Sequence, residues 1–156
     1  MIVDERLRRT TPMTPTHAAR LMLLEDHVVV RDGIRALLES EPDLDVVHAI
    51  GSTRDALAMI PVVLPPLVLV DLNLPDVNGI EFLRCAASGH GHVRCVVLTS
   101  VGDAAKISEA VSAGARAVLG KTVSRDALID VVRRVMRGES VQRRGSTSRK
   151  TTRART

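Results

Sequence analysis

Leu67-Val68-Leu69-Val70-Asp71 runs directly into Leu72-Asn73-Leu74-Pro75-Asp76-Val77-Asn78-Gly79, and the first five of these residues decide the fold. Four apolar residues, two of them β-branched, end in a carboxylate. That is the pattern of a strand buried on both faces that delivers a charged group at its C-terminal end. Pro75 orders the loop that follows, and Gly79 relaxes the backbone where Ile80 to Ala87 begins a helical pattern. Open α/β sheets carry their chemistry at the carboxyl ends of their strands, so the function turns on which other residues reach that edge.

Upstream, Leu21 to Leu24 reads as a short buried strand ending in Glu25-Asp26. A helical pattern then runs from His27 to Glu39, with Val30, Ile34, Leu37 and Leu38 on one face, until Pro42-Asp43 breaks it. Leu44 to Ile50 is a second strand. Ser52 caps a helix over about 53–60, which Pro61 should end or kink because it removes a donor and clashes with the preceding turn. The next residues, Val62-Val63-Leu64-Pro65-Pro66, are unusually apolar for a connector and fit a buried loop or an exposed patch equally well.

Downstream, Ala87 to His92 is a flexible turn whose His90 and His92 lack further ligands, so no metal is expected there. Cys95 to Thr99 is a fourth strand, Asp103 to Ala113 a helix closed by Gly114, and Ala115 to Leu119 a fifth strand leading into Gly120-Lys121. Ser124 caps a last helix with Leu128, Val131, Val132, Val135 and Met136 as its apolar stripe, and Gly138 stops it. The order is (βα)₅ over about 21–137. It predicts an α/β fold, a doubly wound parallel sheet with right-handed crossovers and helices on both faces.

Three segments follow: a flexible leader over 1–20, one domain over 21–140, and a basic, disordered tail over 141–156. The leader carries a net +2, the body −4 and the tail +6, which together make the chain's +4. Any attraction to nucleic acid therefore belongs to the tail. One Phe and no Tyr or Trp leave an aliphatic core. Cys85 and Cys95 make no disulfide framework and read as small buried hydrophobes. Without a secretory leader or an apolar run near the roughly 20 residues of a membrane helix, a cytoplasmic location off the membrane is expected.

The strand ends bring Glu25, Asp26, Asp71, Thr99 and Lys121 to one edge. Crowded carboxylates raise one another's proton affinity unless a cation sits among them. Such a site suits a hard divalent ion with oxygen ligands, and Mg²⁺ fits better than zinc because no His–Cys cluster converges. An ammonium and a hydroxyl opposite the metal suit a planar, negatively charged group in transfer, and an aspartate can be the nucleophile.

This pattern closely resembles the receiver domain of two-component response regulators, in the group whose receivers usually precede a LuxR-type helix-turn-helix. The resemblance covers about residues 20–140 and rests on Glu25-Asp26-His27, Val30-Arg31-Asp32-Gly33, Asp71-x-x-x-Pro75-x-x-x-Gly79, Thr99, and Lys121 in Ala117-Val118-Leu119-Gly120-Lys121. It implies the flavodoxin-like strand order 2-1-3-4-5. It also implies Asp71 as phosphoacceptor, Thr99 as switch hydroxyl, Lys121 as phosphate partner and a histidine kinase as donor. Mg²⁺ would be held by Asp26, Asp71 and the backbone carbonyl of Asn73, with Glu25 acting mainly through water. A homodimer through the face made by the fourth helix, fifth strand and fifth helix is a further implication.

Three departures accompany the resemblance. Val118 stands where the group has an aromatic switch residue, Pro61 falls inside the second helix, and Pro66 precedes the central strand. After Ser140 only the basic tail follows, so sequence-specific DNA reading is not expected, and weak, salt-sensitive nucleic-acid binding by the tail is the most it offers. The alternatives to a phosphoacceptor are a phosphate-independent dimerisation or binding module, a Mg²⁺ hydrolase for which no substrate residues are evident, and a truncated regulator that binds DNA through the tail.

Overall fold

The alternation of side chains along the strands sorts this chain into two cores. The computed structural model describes residues 18–74, 76–100 and 104–141. Most of the leader, the tail beyond Val141, Pro75 and Asp103 lie outside the described residues. Strands β1 (Ala19–Leu24), β2 (Leu44–Ile50), β3 (Leu67–Asp71), β4 (Arg94–Thr99) and β5 (Ala117–Gly120) form one sheet in the order β2-β1-β3-β4-β5. All pairings are parallel. The helices are α1 (Val28–Glu39), α2 (Thr53–Val63), α3 (Gly79–Gly89), α4 (Ala104–Ser112) and α5 (Arg125–Met136). The doubly wound (βα)₅ topology and the 2-1-3-4-5 order are therefore as expected.

Because strand side chains alternate, Met22, Leu24, Val68, Val70, Cys95 and Val97 face one side of the sheet, where α2, α3 and α4 cover them. Leu21, Leu23, Leu67, Leu69, Val96 and Leu98 face the other, under α1 and α5. All five residues of β3 are buried, as its near-continuous apolar run requires. Phe82, the single aromatic ring, is fully buried on the first side. Each large side chain so enclosed contributes about 1.5–3 kcal/mol.

Two expectations need correction. Pro61 does not end α2, which continues to Val63 and closes with Leu64 in the left-handed region (φ 52°), its N–H donating to Ile60. Proline in the last turn forgoes one backbone hydrogen bond. Burial of Ile60 and Val63 on either side of it is comparable in size with the roughly 3 kcal/mol that a mid-helix proline costs. The connector beyond it is mixed: Val62 and Leu64 are exposed, while Val63 and Pro65 are buried. Cys85 is only half-buried, whereas Cys95 lies in the core, where burial pushes its thiol up to about 12.

Gly79 has a different role from the one expected. A Cβ there would lie 2.6 Å from the Asp71 carbonyl oxygen and 2.6 Å from Leu72 Cα, so only glycine lets α3 start directly against the end of β3. Its N–H donates to the Leu72 carbonyl at 2.9 Å. The other anchor of this loop is Asp76. Its carboxylate accepts from the N–H groups of Thr53 and Arg54 and from the Ser52 hydroxyl, so it caps α2 from outside that helix. Although burial opposes ionisation, these bonds hold the carboxyl far below its usual value.

Gly79→Ala should destabilise the fold by about 1–3 kcal/mol through overpacking. Gly33→Ala, inside α1 with open space around its Cβ position, should stabilise by about 0.5–1 kcal/mol. Urea unfolding followed by far-UV circular dichroism reads both. Asp76→Ala should lower stability by about 1 kcal/mol at pH 6. Because the folded-state pKa is depressed, the wild-type advantage is complete above about pH 4 and is lost as the pH falls further. Unfolding curves of both proteins from pH 6 to pH 2 should therefore converge, and a constant gap would show that the charge on Asp76 is irrelevant.

Candidate functional site

The parallel register sets the site. Leu24 of β1 lies beside Val70 of β3, so Glu25 and Asp26 leave the sheet beside Asp71. Asp71 lies opposite Leu98, and Thr99 opposite Gly120, which brings Thr99 and Lys121 to the same end. The Lys121 N–H donates to the Thr99 carbonyl at 2.9 Å, tying the two strand ends together. Glu25, Asp71 and Thr99 are buried, an expensive placement for two carboxylates without partners.

Lys121 supplies the partner. Its ammonium lies 2.9 Å from Glu25 Oε1 and 3.1 Å from Asp71 Oδ2. The other Asp71 oxygen accepts from the Asn73 N–H at 3.1 Å. The other Glu25 oxygen accepts the His27 N–H at 3.2 Å and lies 3.1 Å from His27 Nδ1. One cation between two anions leaves the carboxylates unequal. Burial raises Glu25's proton affinity, but the bonds from Lys121 and His27 outweigh it and its pKa falls below the usual range. For Asp71, burial together with repulsion from Glu25 prevails over the bonds from Asn73 and Lys121, and its pKa is raised. Desolvation of the ammonium is likewise outweighed by its two carboxylates, which raise the pKa of Lys121.

Asp26 stands apart from this network. Its Oδ1 is buried without a hydrogen bond among the described residues, at an ion-pair distance of 3.4 Å from His27 Nδ1. Ligand atoms from the buried Glu25 and Asp71, the half-buried Asp26 and the exposed His27 all lie within 4.8 Å of one another, an acidic and histidine cluster able to hold a divalent cation. The orphaned oxygen and the carboxylate-rich donor set fit such an ion. Beside the cluster opens a cleft of about 420 Å³ lined by Asp26, Asn73, Arg84 and Lys106, among others.

The structure thus gathers Glu25, Asp26, Asp71 and Lys121 into direct contact or close proximity. It sets Thr99 at the neighbouring strand end and brings the Asn73 backbone against Asp71. Sequence reasoning missed three supports. His27 binds Glu25 rather than capping α1. Arg31 donates to the Glu25 carbonyl at 3.0 Å. Asp76 fastens the loop that carries Asn73 and Gly79. Only Asp76 had a local signal, as an acidic residue after a proline in a loop that leads into a helix.

The comparisons agree with this geometry. The family profile described as the response regulator receiver domain matches residues 21–133. The chain is 37% identical over 122 residues to the DNA-binding transcriptional activator DevR/DosR of Mycobacterium tuberculosis, covering 78% of this chain and 56% of that protein. It is 39% identical over 117 residues to the transcriptional regulatory protein UhpA of Escherichia coli, covering 74% and 58%. The chain therefore spans less than two thirds of these relatives. The crystal structure of a LuxR-family two-component response regulator from Aurantimonas superposes with a TM-score of 0.75 at 30% identity, covering 79% of this chain and 88% of that one. The receiver domain of the response regulator NarL from M. tuberculosis has the same fold, with a TM-score of 0.76 at 23% identity, covering 79% and 99%. Among the described residues no helix is long and apolar enough to cross a membrane. The sheet order, the clustered carboxylates with their lysine and the matched profile together make the chain a member of the response regulator receiver domain family.

Proposed function

We propose that the chain takes a phosphoryl group onto Asp71 from a phosphohistidine of a histidine kinase and uses the modification to change a protein interface. The observation that carries this reading is the state of Asp71, a buried carboxylate at a strand end held between Lys121 Nζ and the Asn73 N–H. A carboxylate oxygen of Asp71 attacks phosphorus, the P–N bond of the donor breaks, and the leaving imidazole nitrogen takes up a proton.

Asp26, Asp71 and the Asn73 carbonyl would hold Mg²⁺, with Glu25 behind them. The ion, when bound, neutralises charge on the transferring phosphoryl oxygens. Lys121 shifts from the Asp71 carboxylate toward a phosphoryl oxygen, since the acyl phosphate carries about −1.5 to −2 charges where the carboxylate carried one. The Thr99 hydroxyl donates to the same group. The cleft beside the site, where Arg84 and Lys106 are balanced by Asp26 and Glu109, gives the donor an approach of mixed charge.

The interface so changed would be that of α4, β5 and α5, with a second copy of the chain as the natural partner. One observation favours a second reading, in which this face binds independently of phosphate. Val118 is buried beneath an open groove of about 380 Å³ lined by Ile107, Val111 and Val141, so no large side chain there couples the site to the surface.

Incubation with acetyl phosphate and Mg²⁺ separates the readings. Intact mass should rise by about 80 Da in the wild type and not in Asp71→Asn or without Mg²⁺. A shift toward dimer in the same samples supports phosphate-driven switching. A mass gain with an unchanged oligomeric state favours the second reading, and absence of any gain overturns the phosphoacceptor assignment.

A further inference from the structure

His27 is placed where a helix-capping residue would be, at the residue before α1 with an extended backbone, yet its side chain makes no capping bond. The imidazole turns instead toward the carboxylates. Nδ1 lies 3.1 Å from Glu25 Oε2 and 3.4 Å from Asp26 Oδ1, and that Asp26 oxygen is the buried one with no hydrogen-bond donor among the described residues. Ligands in octahedral coordination at about 2.1 Å from an ion are separated by about 3.0 Å along an edge and about 4.2 Å across. The spacings around His27 are close to an edge, and the whole set, with Asp71, falls within 4.8 Å. At 65% exposure the ring has room to rotate and to keep its second nitrogen in water.

We infer that His27 adds a nitrogen ligand to the divalent-ion site, so that the site takes an imidazole-binding transition ion such as Co²⁺, Ni²⁺ or Zn²⁺ with an affinity Mg²⁺ does not share. The chemistry follows from ligand preference. Carboxylates and water suit Mg²⁺, whereas a neutral imidazole suits the later first-row ions. Three carboxylates alone would make the site indifferent to changes at residue 27. With Nδ1 in reach, the metal present decides whether His27 is drawn to the ion or remains on Glu25. The inference rests on the reading of Asp26 and Asp71 as metal ligands, and the test separates the two.

Full-length wild type, His27→Ala, His27→Asn and Asp26→Asn are titrated with Co²⁺ and with Mg²⁺. Co²⁺ is followed by its visible d–d bands and Mg²⁺ by calorimetry, and far-UV circular dichroism checks folding. Later ions bind most oxygen sites more tightly than Mg²⁺ in any case, so the decisive comparison is between variants. His27→Ala should lose about tenfold or more in Co²⁺ affinity and alter the d–d spectrum, while Mg²⁺ affinity stays within about twofold. His27→Asn keeps an amide N–H able to donate to Glu25 but offers no imidazole nitrogen, and it should behave as His27→Ala does. Wild-type Co²⁺ affinity in His27→Asn, or an equal loss for both ions in His27→Ala, overturns the inference and makes His27 a positioning residue for Glu25. If neither ion binds the wild type, or Asp26→Asn changes neither affinity, the metal-site reading itself fails.

Discussion

The Lys121 ammonium is the cation on which the site depends, because two buried carboxylates converge at the end of the sheet. At the low effective dielectric of a buried site, Glu25 and Asp71 together would repel strongly enough to drive one of them neutral. Lys121 Nζ, within hydrogen-bond distance of both, keeps them close. It does not treat them alike. Glu25 gains additional bonds from His27 and is stabilised as the anion. Asp71 has the Asn73 N–H and its share of the lysine, and remains the carboxylate with the higher proton affinity. A group whose arrival supplies new negative charge at Asp71 competes directly for that lysine, which is a physical basis for a switch.

The scaffold holds this cluster by backbone approach as much as by side-chain packing. Gly79 lets α3 begin against the carbonyl of Asp71, and Asp76 ties the same loop to the start of α2. The loop after β3 is thus fixed at both ends. Away from the site, Arg133 pairs with Glu41 and Asp43, and Arg125 with Glu41, joining α5 to the turn before β2. These pairs are partly exposed and contribute little each, but they fasten the two helices that cover one side of the sheet.

The face made by α4 and β5 is looser. Val118 fills its place in the core but leaves a groove between α4 and β5, and among the described residues the edge of β5 beyond it meets a single bridge between Ala117 and Val141. Packed interfaces transmit small shifts because they have few alternative arrangements. A groove between α4 and β5 relaxes that constraint at this face.

Strand existence, order along the chain and the buried character of β3 were legible in the sequence because apolar periodicity and turn residues act locally. Leu67 to Asp71, the caps Ser52, Asn78 and Ser124, and the closures at Gly114 and Gly138 all act within a few residues, and Asn78 alone among them was passed over. Local rules also misjudged Pro61, because its cost is offset by the burial of Ile60 and Val63 against distant strands. The identities of the edge residues were legible for the same reason as the strands, since each directly ends or follows one. Their distances were not. That Lys121 bridges Glu25 and Asp71, that His27 turns toward the carboxylates, and that Asp76 caps a helix more than twenty residues earlier depend on sheet register and crossover packing, which bring together groups that the chain itself keeps far apart.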